Sequence, residues 1–196
     1  MLFRSIHLIH ISTDYVFDGK SYIPYREDDA TNPVSVYGKS KLEGEQAVKQ
    51  SNCSATVIRT SWLYSSFGNN FVKTILRLAK ERDELGIVFD QIGTPTYAAD
   101  LATAILTCCQ DKKEGFQLYH FSNEGVCSWY DFAKEIVTLA DIPCKVLPIE
   151  TKDYPTLAAR PAYSVFNKSL IKKNLDIENP HWKESLIQCL KELKEL

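Results

Sequence analysis

A tyrosine and a lysine stand four residues apart in YGKSKLEGE, as Tyr37 and Lys41. On a helix that interval puts both side chains on one face, a turn apart. A phenol ordinarily titrates near about 10, and a neighbouring ammonium favours the phenolate, which brings proton exchange toward neutrality. Upstream, Ser12-Thr13-Asp14-Tyr15-Val16-Phe17 places a hydroxyl cluster directly after an apolar stretch. Thr13 could hydrogen-bond the substrate oxygen that Tyr37 protonates, so the three groups together would polarise a carbonyl as hydride arrives. Spacing alone does not decide the matter. Tyr130 and Lys134 in SWYDFAKEI repeat the interval, and there an ordinary capped helix accounts for them. Around Tyr37 the context differs: a polar strand end upstream, the turn-rich approach DDATNPVS, and Gly38 and Gly44, which permit close backbone approach.

The elements that must position these residues follow from periodicity. Ser5–Ser12 reads as a nearly apolar strand with both faces covered, Val36–Gln50 as a helix and Ala55–Thr60 as a second buried strand. Asn70–Arg82 carries Phe71, Ile75, Leu78 and Ala79 at helical spacing. A short strand Gly86–Asp90, a helix Tyr97–Gln110 and a strand Gln117–Ser122 follow. Ser128 and Asp131 form a capping box for the helix Trp129–Ala140. Cys144–Ile149 is a further strand, and 179–196 a terminal amphipathic helix. Strands alternating with helices imply a parallel sheet covered on both sides. In such sheets ligands bind beyond the carboxyl ends of the strands, which is where Ser12 and Thr13 fall. A shift near Gly86 marks a smaller second α/β lobe. The natural division is 1–85 and 86–196, with some elements of the second part returning to the first.

Bulk composition narrows the classes. The 196 residues, 44% hydrophobic, can bury a real core. A net charge of −2 without a basic run argues against nucleic-acid binding, and no apolar stretch is long enough for a bilayer. Six cysteines without a CxxC pair fit reduced thiols and a cytoplasmic location. The four scattered histidines lack metal-ligand spacing. None of the eight glycines forms GxGxxG or a P-loop.

Taken in order, STDYVFDG, YGKSKLEGE, IRTSWLYSSFGNNF, DQIGTPTYAADLA and YPTLAARPAYSVFNKSLI closely resemble the dTDP-4-dehydrorhamnose reductases of the extended short-chain dehydrogenase/reductase superfamily. The resemblance runs through nearly the whole chain. It implies reduction of the C4 keto group of dTDP-6-deoxy-L-lyxo-4-hexulose by NADPH or NADH, giving dTDP-L-rhamnose. By similarity, Tyr37 is the catalytic tyrosine, Lys41 the lysine that also holds the nicotinamide ribose, and Thr13 the third member of the triad. Ser12 and Thr60 fall on the cofactor side. Tyr15 and Trp62 would lie against the sugar, while Asn69, Asn70, Gln91, Gly93 and Arg160 fall where the nucleotide-sugar is held. On their residue types alone, Trp62 also fits a buried core indole and Arg160 a surface salt bridge, although a guanidinium suits a diphosphate. Related dehydratases carry an acidic residue where this chain has Tyr15. A phenol substitutes poorly for that carboxylate, which favours simple reduction.

The resemblance begins inside the family's fold, beyond its Gly-rich turn. It therefore implies an incomplete Rossmann-like, doubly wound sheet: 1–85 as the C-terminal part of the cofactor domain, and 86–196 mainly as the substrate-binding lobe. Met1 then reads as an internal start, in a truncated chain, a split gene product or a mis-assigned reading frame. Weak cofactor affinity, little activity of the isolated chain, and self-association through an open sheet edge at Ile6–Ser12 are the expectations. Two other readings stay open. One is a non-catalytic nucleotide-sugar- or partner-binding module, like the regulatory subunits of methionine adenosyltransferase; the other is a different ketosugar reductase or epimerase on the same scaffold.

Overall fold

The structure is a computed structural model that describes residues 6–111, 113–154 and 160–196. Ser5 and part of YPTLAARP lie outside the described residues. The β-branched run ATVIRT forms strand β2 (Ala55–Thr60), buried at every position. It lies between β1 (Leu8–Thr13) and β7 (Phe116–Phe121), parallel to both. In this register Ser12, Arg59 and His120 stand side by side, as do Thr13, Thr60 and Phe121 at the carboxyl ends. Thus β7, from the second half of the sequence, completes the first sheet.

Helix α1 (Val36–Gln50) follows Ser35, whose hydroxyl accepts the Gly38 amide at 3.1 Å. It packs on one face of the sheet. Helices α3 (Ala98–Asp111) and α5 (Ser169–Leu175) pack on the other, where Leu101, Ala104 and Ile171 meet Ile58, Tyr119 and Phe121. Helices on both faces of a parallel sheet make this a doubly wound, Rossmann-like α/β arrangement. β1 departs from its sequence reading in one respect. It begins at Leu8, and its first four residues are only partly covered. Among the described residues it pairs with β2 alone, and an edge strand buries less than a central one.

The second lobe is built on β4 (Glu84–Val88) and β9 (Lys145–Ile149), a parallel pair. Helices α2 (Phe71–Glu81), α4 (Trp129–Leu139) and α6 (Trp182–Leu193) enclose one apolar cluster with it, centred on Phe132, Ile136, Leu186 and Leu190. The capping box of Ser128 and Asp131 is present at α4. Three short pieces join the lobes near the site. β3 (Leu63–Tyr64) pairs with β6 (Thr96–Tyr97), and β5 (Ile92–Gly93) with β8 (Cys127–Ser128). The segment 162–167 crosses from Ile92 to Tyr25 through backbone hydrogen bonds at both ends.

Beneath α1 the sheet face is polar. The Arg59 guanidinium donates to both oxygens of Glu45 on α1, at 2.9 and 2.7 Å. It also lies 5.1 Å from the centre of the Phe17 ring. His120 beside it is fully buried. Its Nδ1 sits 3.0 Å from the Tyr25 carbonyl and its Nε2 3.4 Å from Arg59 Nη1. A neutral ring donating from Nδ1 and accepting at Nε2 satisfies both contacts. Burial first, and then the Arg59 charge, push its pKa down to about 3. An unfolded His120 takes up a proton near pH 6.5 and the folded one does not, so acid favours unfolding. The parent chain is therefore expected to lose stability relative to His120→Gln as pH falls from 6.5 toward 3, and to show no such divergence above 6.5. Urea unfolding across that range measures it, and a constant gap between the two proteins would exclude a buried neutral imidazole.

Candidate active site

The carboxyl end of β1 runs into a 3-10 turn, Asp14–Val16, in which the Thr13 hydroxyl accepts the Tyr15 amide at 3.3 Å. Helix α1 sits against this turn at Gly38. A Cβ there would collide with the Tyr15 carbonyl oxygen and touch Pro33, so glycine is what lets the helix approach. That contact fixes the first turn of α1 over the strand ends. Tyr37 then meets the Tyr15 ring edge-to-face at a centroid separation of 5.5 Å, and Lys41 Nζ donates to the Ile11 carbonyl at 2.5 Å.

These groups border one cavity of about 600 Å³. Its wall includes Ser12, Thr13, Asp14, Tyr15, Tyr37, Lys41, Thr60, Trp62 and Arg160. Tyr37 is 54% exposed, so its phenol is open to a ligand. Tyr130 and Lys134, at the same interval, line neither this cavity nor its neighbour. Tyr130 packs on the second lobe's core and Lys134 is exposed. Neither residue faces the cavity at the carboxyl ends of β1 and β2, and that is the physical difference between the two pairs.

A second cavity of about 370 Å³ adjoins the first and shares Arg160 with it. Phe71, Leu78, Gly86, Gln91, Trp129 and Tyr154 are among its lining residues. Trp62 and Trp129 stack at 3.6 Å with an 8° interplanar angle, which puts one indole in each cavity wall. Gly93 lies directly under Trp62. A Cβ on it would stand 2.6 Å from the indole and 2.7 Å from Ser164 Oγ. Gly93→Ala is therefore expected to push Trp62 off its seat and destabilise the fold by about 1–3 kcal/mol. Near-ultraviolet circular dichroism of the stacked indoles together with a thermal melt would register both changes; an unchanged exciton signal would exclude the displacement.

The other sequence candidates are placed as follows. Gln91 is buried in the second cavity's wall and donates to Thr151 Oγ1 at 3.1 Å. Asn70 is the N-cap of α2, accepting the Lys73 amide and donating to the Ser65 carbonyl. Asn69 is exposed and borders neither cavity. Phe71, Trp129 and Tyr154 are lining residues that the sequence reading does not single out for the site. Trp129 and Phe71 look like helix-core aromatics in the sequence, and nothing in Tyr154's surroundings marks it.

Electrostatics separates the groups at the rim. Burial pushes the Asp14 carboxyl up to about 6, against hydrogen bonds from Thr13, Ser164 and nearby amides. The Tyr15 phenol is raised by burial and then by Asp14, with Arg160 acting in the opposite sense. Ser12 Oγ and Thr60 Oγ1, at adjacent strand ends, are buried without a hydrogen-bond partner among the described residues. Buried hydroxyls of this kind ordinarily have partners, so these two suit a polar ligand seated on the strand ends. Among the described residues no cluster of His, Cys, Asp and Glu suits a metal ion, and no helix is long and apolar enough to cross a membrane.

Comparison with known proteins covers nearly the whole chain. A family model described as RmlD substrate binding domain matches residues 3–195. The spore coat polysaccharide biosynthesis protein SpsK of Bacillus subtilis is 45% identical over 184 residues, which are 94% of this chain and 64% of that protein. The dTDP-4-dehydrorhamnose reductase of Sinorhizobium fredii is 44% identical over 189 residues, 92% of this chain and 64% of that protein. A crystal structure of dTDP-4-dehydrorhamnose reductase from Bacillus anthracis in complex with NADP superposes with a TM-score of 0.90 at 45% identity. It covers 94% of this chain and 65% of that one. The chain thus spans somewhat less than two thirds of the length of these relatives.

Proposed function

Because the chain belongs to the RmlD substrate binding domain family, we propose that it binds a dTDP-linked 6-deoxy-4-ketohexose and presents it for reduction at C4 to dTDP-L-rhamnose. The observation that carries this reading is the convergence of Thr13, Tyr37 and Lys41 on one cavity at the carboxyl ends of the strands. Tyr37 donates its proton to the C4 oxygen. Thr13 hydrogen-bonds that oxygen and holds it in line. Lys41, anchored on the Ile11 carbonyl, places a positive charge beside both.

NADPH or NADH is the implied reductant, and the residues present fit the nicotinamide end of it. The unpartnered Ser12 and Thr60 hydroxyls, with Tyr37 and Lys41, would hold the ribose and the carboxamide side. When bound, the nicotinamide supplies hydride to C4. The 196 residues contain no GxGxxG turn to hold the pyrophosphate, so what they offer the cofactor is the nicotinamide end.

The second cavity takes the nucleotide. Phe71 and Trp129 supply aromatic faces and Gln91 a polar edge, while Arg160, between the cavities, faces the diphosphate. A guanidinium pairs with phosphate through two parallel hydrogen bonds. Titration calorimetry with dTDP-L-rhamnose tests the reading on the chain as it is. Saturable binding is expected, weakened about 10- to 100-fold by Arg160→Ala. Binding that ignores Arg160, or that dTDP fails to displace, would remove the nucleotide-sugar from the site.

A further inference from the structure

Thr13 has one hydroxyl proton and, in this structure, has already committed it. Its Oγ1 donates to Asp14 Oδ1 at 3.0 Å and accepts the Tyr15 amide at 3.3 Å. A hydroxyl in that state has only a lone pair left for a ligand. It cannot donate to a carbonyl oxygen, which is the role the reduction asks of it. Asp14 is 4% exposed and borders the same cavity. Its other carboxyl oxygen, Oδ2, is buried without a hydrogen-bond partner among the described residues, although the Ser164 hydroxyl and the amides of Asp14 and Tyr15 lie close enough to favour the carboxylate.

We propose that Asp14 is a positioning residue for the reduction, its carboxyl deciding which way the Thr13 hydroxyl points. Ionised, Asp14 captures the Thr13 proton. Protonated, it donates its own hydrogen to Thr13 Oγ1, and Thr13 turns its hydrogen toward the C4 oxygen. The change is a redirection of two hydrogen bonds. No covalent bond to carbon is made or broken by it, and Tyr37 remains the proton source for the alcohol. The proposal rests on the reductase reading given above.

The charged and titratable groups around Asp14 are few. Tyr37 and Lys41 face the cavity from α1, Arg160 from the segment before 162–167, and Tyr15 from Asp14's own turn. Lys41 and Arg160 would favour the carboxylate. Burial nevertheless dominates, which holds the carboxyl in the range where it changes state near pH 6. The switch therefore lies within reach of ordinary assay conditions.

Two measurements test it. In the first, the carboxyl carbon of Asp14 is followed by NMR against pH in the unliganded 196-residue chain. Thr13→Val is expected to shift its midpoint upward, because the carboxylate loses a donor, and Thr13→Ser to restore it. A midpoint indifferent to Thr13→Val overturns the proposal whatever the catalytic rate. In the second, single-turnover reduction is followed against pH. The rate is expected to fall above about pH 6 toward a plateau lower by up to the ~10²-fold that one donor to a developing oxyanion is worth. Asp14→Asn, whose amide cannot ionise, should abolish that limb. A limb that survives in Asp14→Asn overturns the proposal. A chain that shows the Thr13-linked shift but neither binds dTDP-L-rhamnose nor turns over counts instead against the reductase reading.

Discussion

Replacing Tyr37 by Phe is expected to lower reduction of the 4-keto sugar by about 10²–10⁴-fold, the range typical of losing a positioned general acid. Binding of dTDP-L-rhamnose should stay within about a factor of two, because that substitution removes one exposed hydroxyl and no packing. Tyr37 is more than half exposed and Phe keeps the ring that meets Tyr15 edge-to-face, so stability should change by no more than about 0.5 kcal/mol. The comparison is a ratio of single-turnover rates, which remains readable if the parent rate is low. Retention of the parent rate in Tyr37→Phe would remove Tyr37 as the proton donor. If the parent shows no turnover while it binds the nucleotide-sugar, the binding half of the reading stands and the reduction does not.

Arg59→Met should be among the most damaging single changes to stability. Arg59 and Glu45 are 4% and 5% exposed at the side chain and face each other through two short hydrogen bonds. Removing one partner strands a buried charge, which typically costs about 3–5 kcal/mol. That is a fifth or more of the stability of a typical domain, which runs to about 5–15 kcal/mol. The melting temperature should fall on the order of 10 °C. The double replacement Glu45→Leu with Arg59→Met should be milder than either single change, since no uncompensated charge remains. Equal damage from the double and single variants would mean the pair acts through packing. The consequence reaches the site, because Glu45 is one helical turn from Lys41 and two from Tyr37 on the same stripe of α1. The ion pair ties that stripe to the sheet.

Much of this was legible in the residues. ATVIRT could only be a buried strand, and the capping box at Ser128 announced the start of α4 to the residue. Thr13 and the pair Tyr37 and Lys41 could be named as chemistry. Their rivals, Tyr130 and Lys134, could not be dismissed on spacing, because a four-residue interval describes a helix face and carries no information about what that face meets. Asp14 sits next to Thr13 in STDYVFDG, yet nothing in the sequence marks it as a site residue. Its part depends on where the Thr13 hydroxyl points, and that is set by a backbone turn.

The sequence by itself determined the local matters: which segments are strands or helices, where a helix starts, and which residues carry phenol, ammonium and hydroxyl groups. These follow from side-chain period and capping, which act over a few residues. Tertiary structure decided the rest. The return of β7 to pair with β2, the stacking of Trp62 on Trp129 over Gly93, and the sharing of Arg160 between two cavities join residues far apart in the chain. Such contacts are selected by packing and by the fit of one surface on another. No local pattern encodes them, so the site became visible only when the strand ends were brought together.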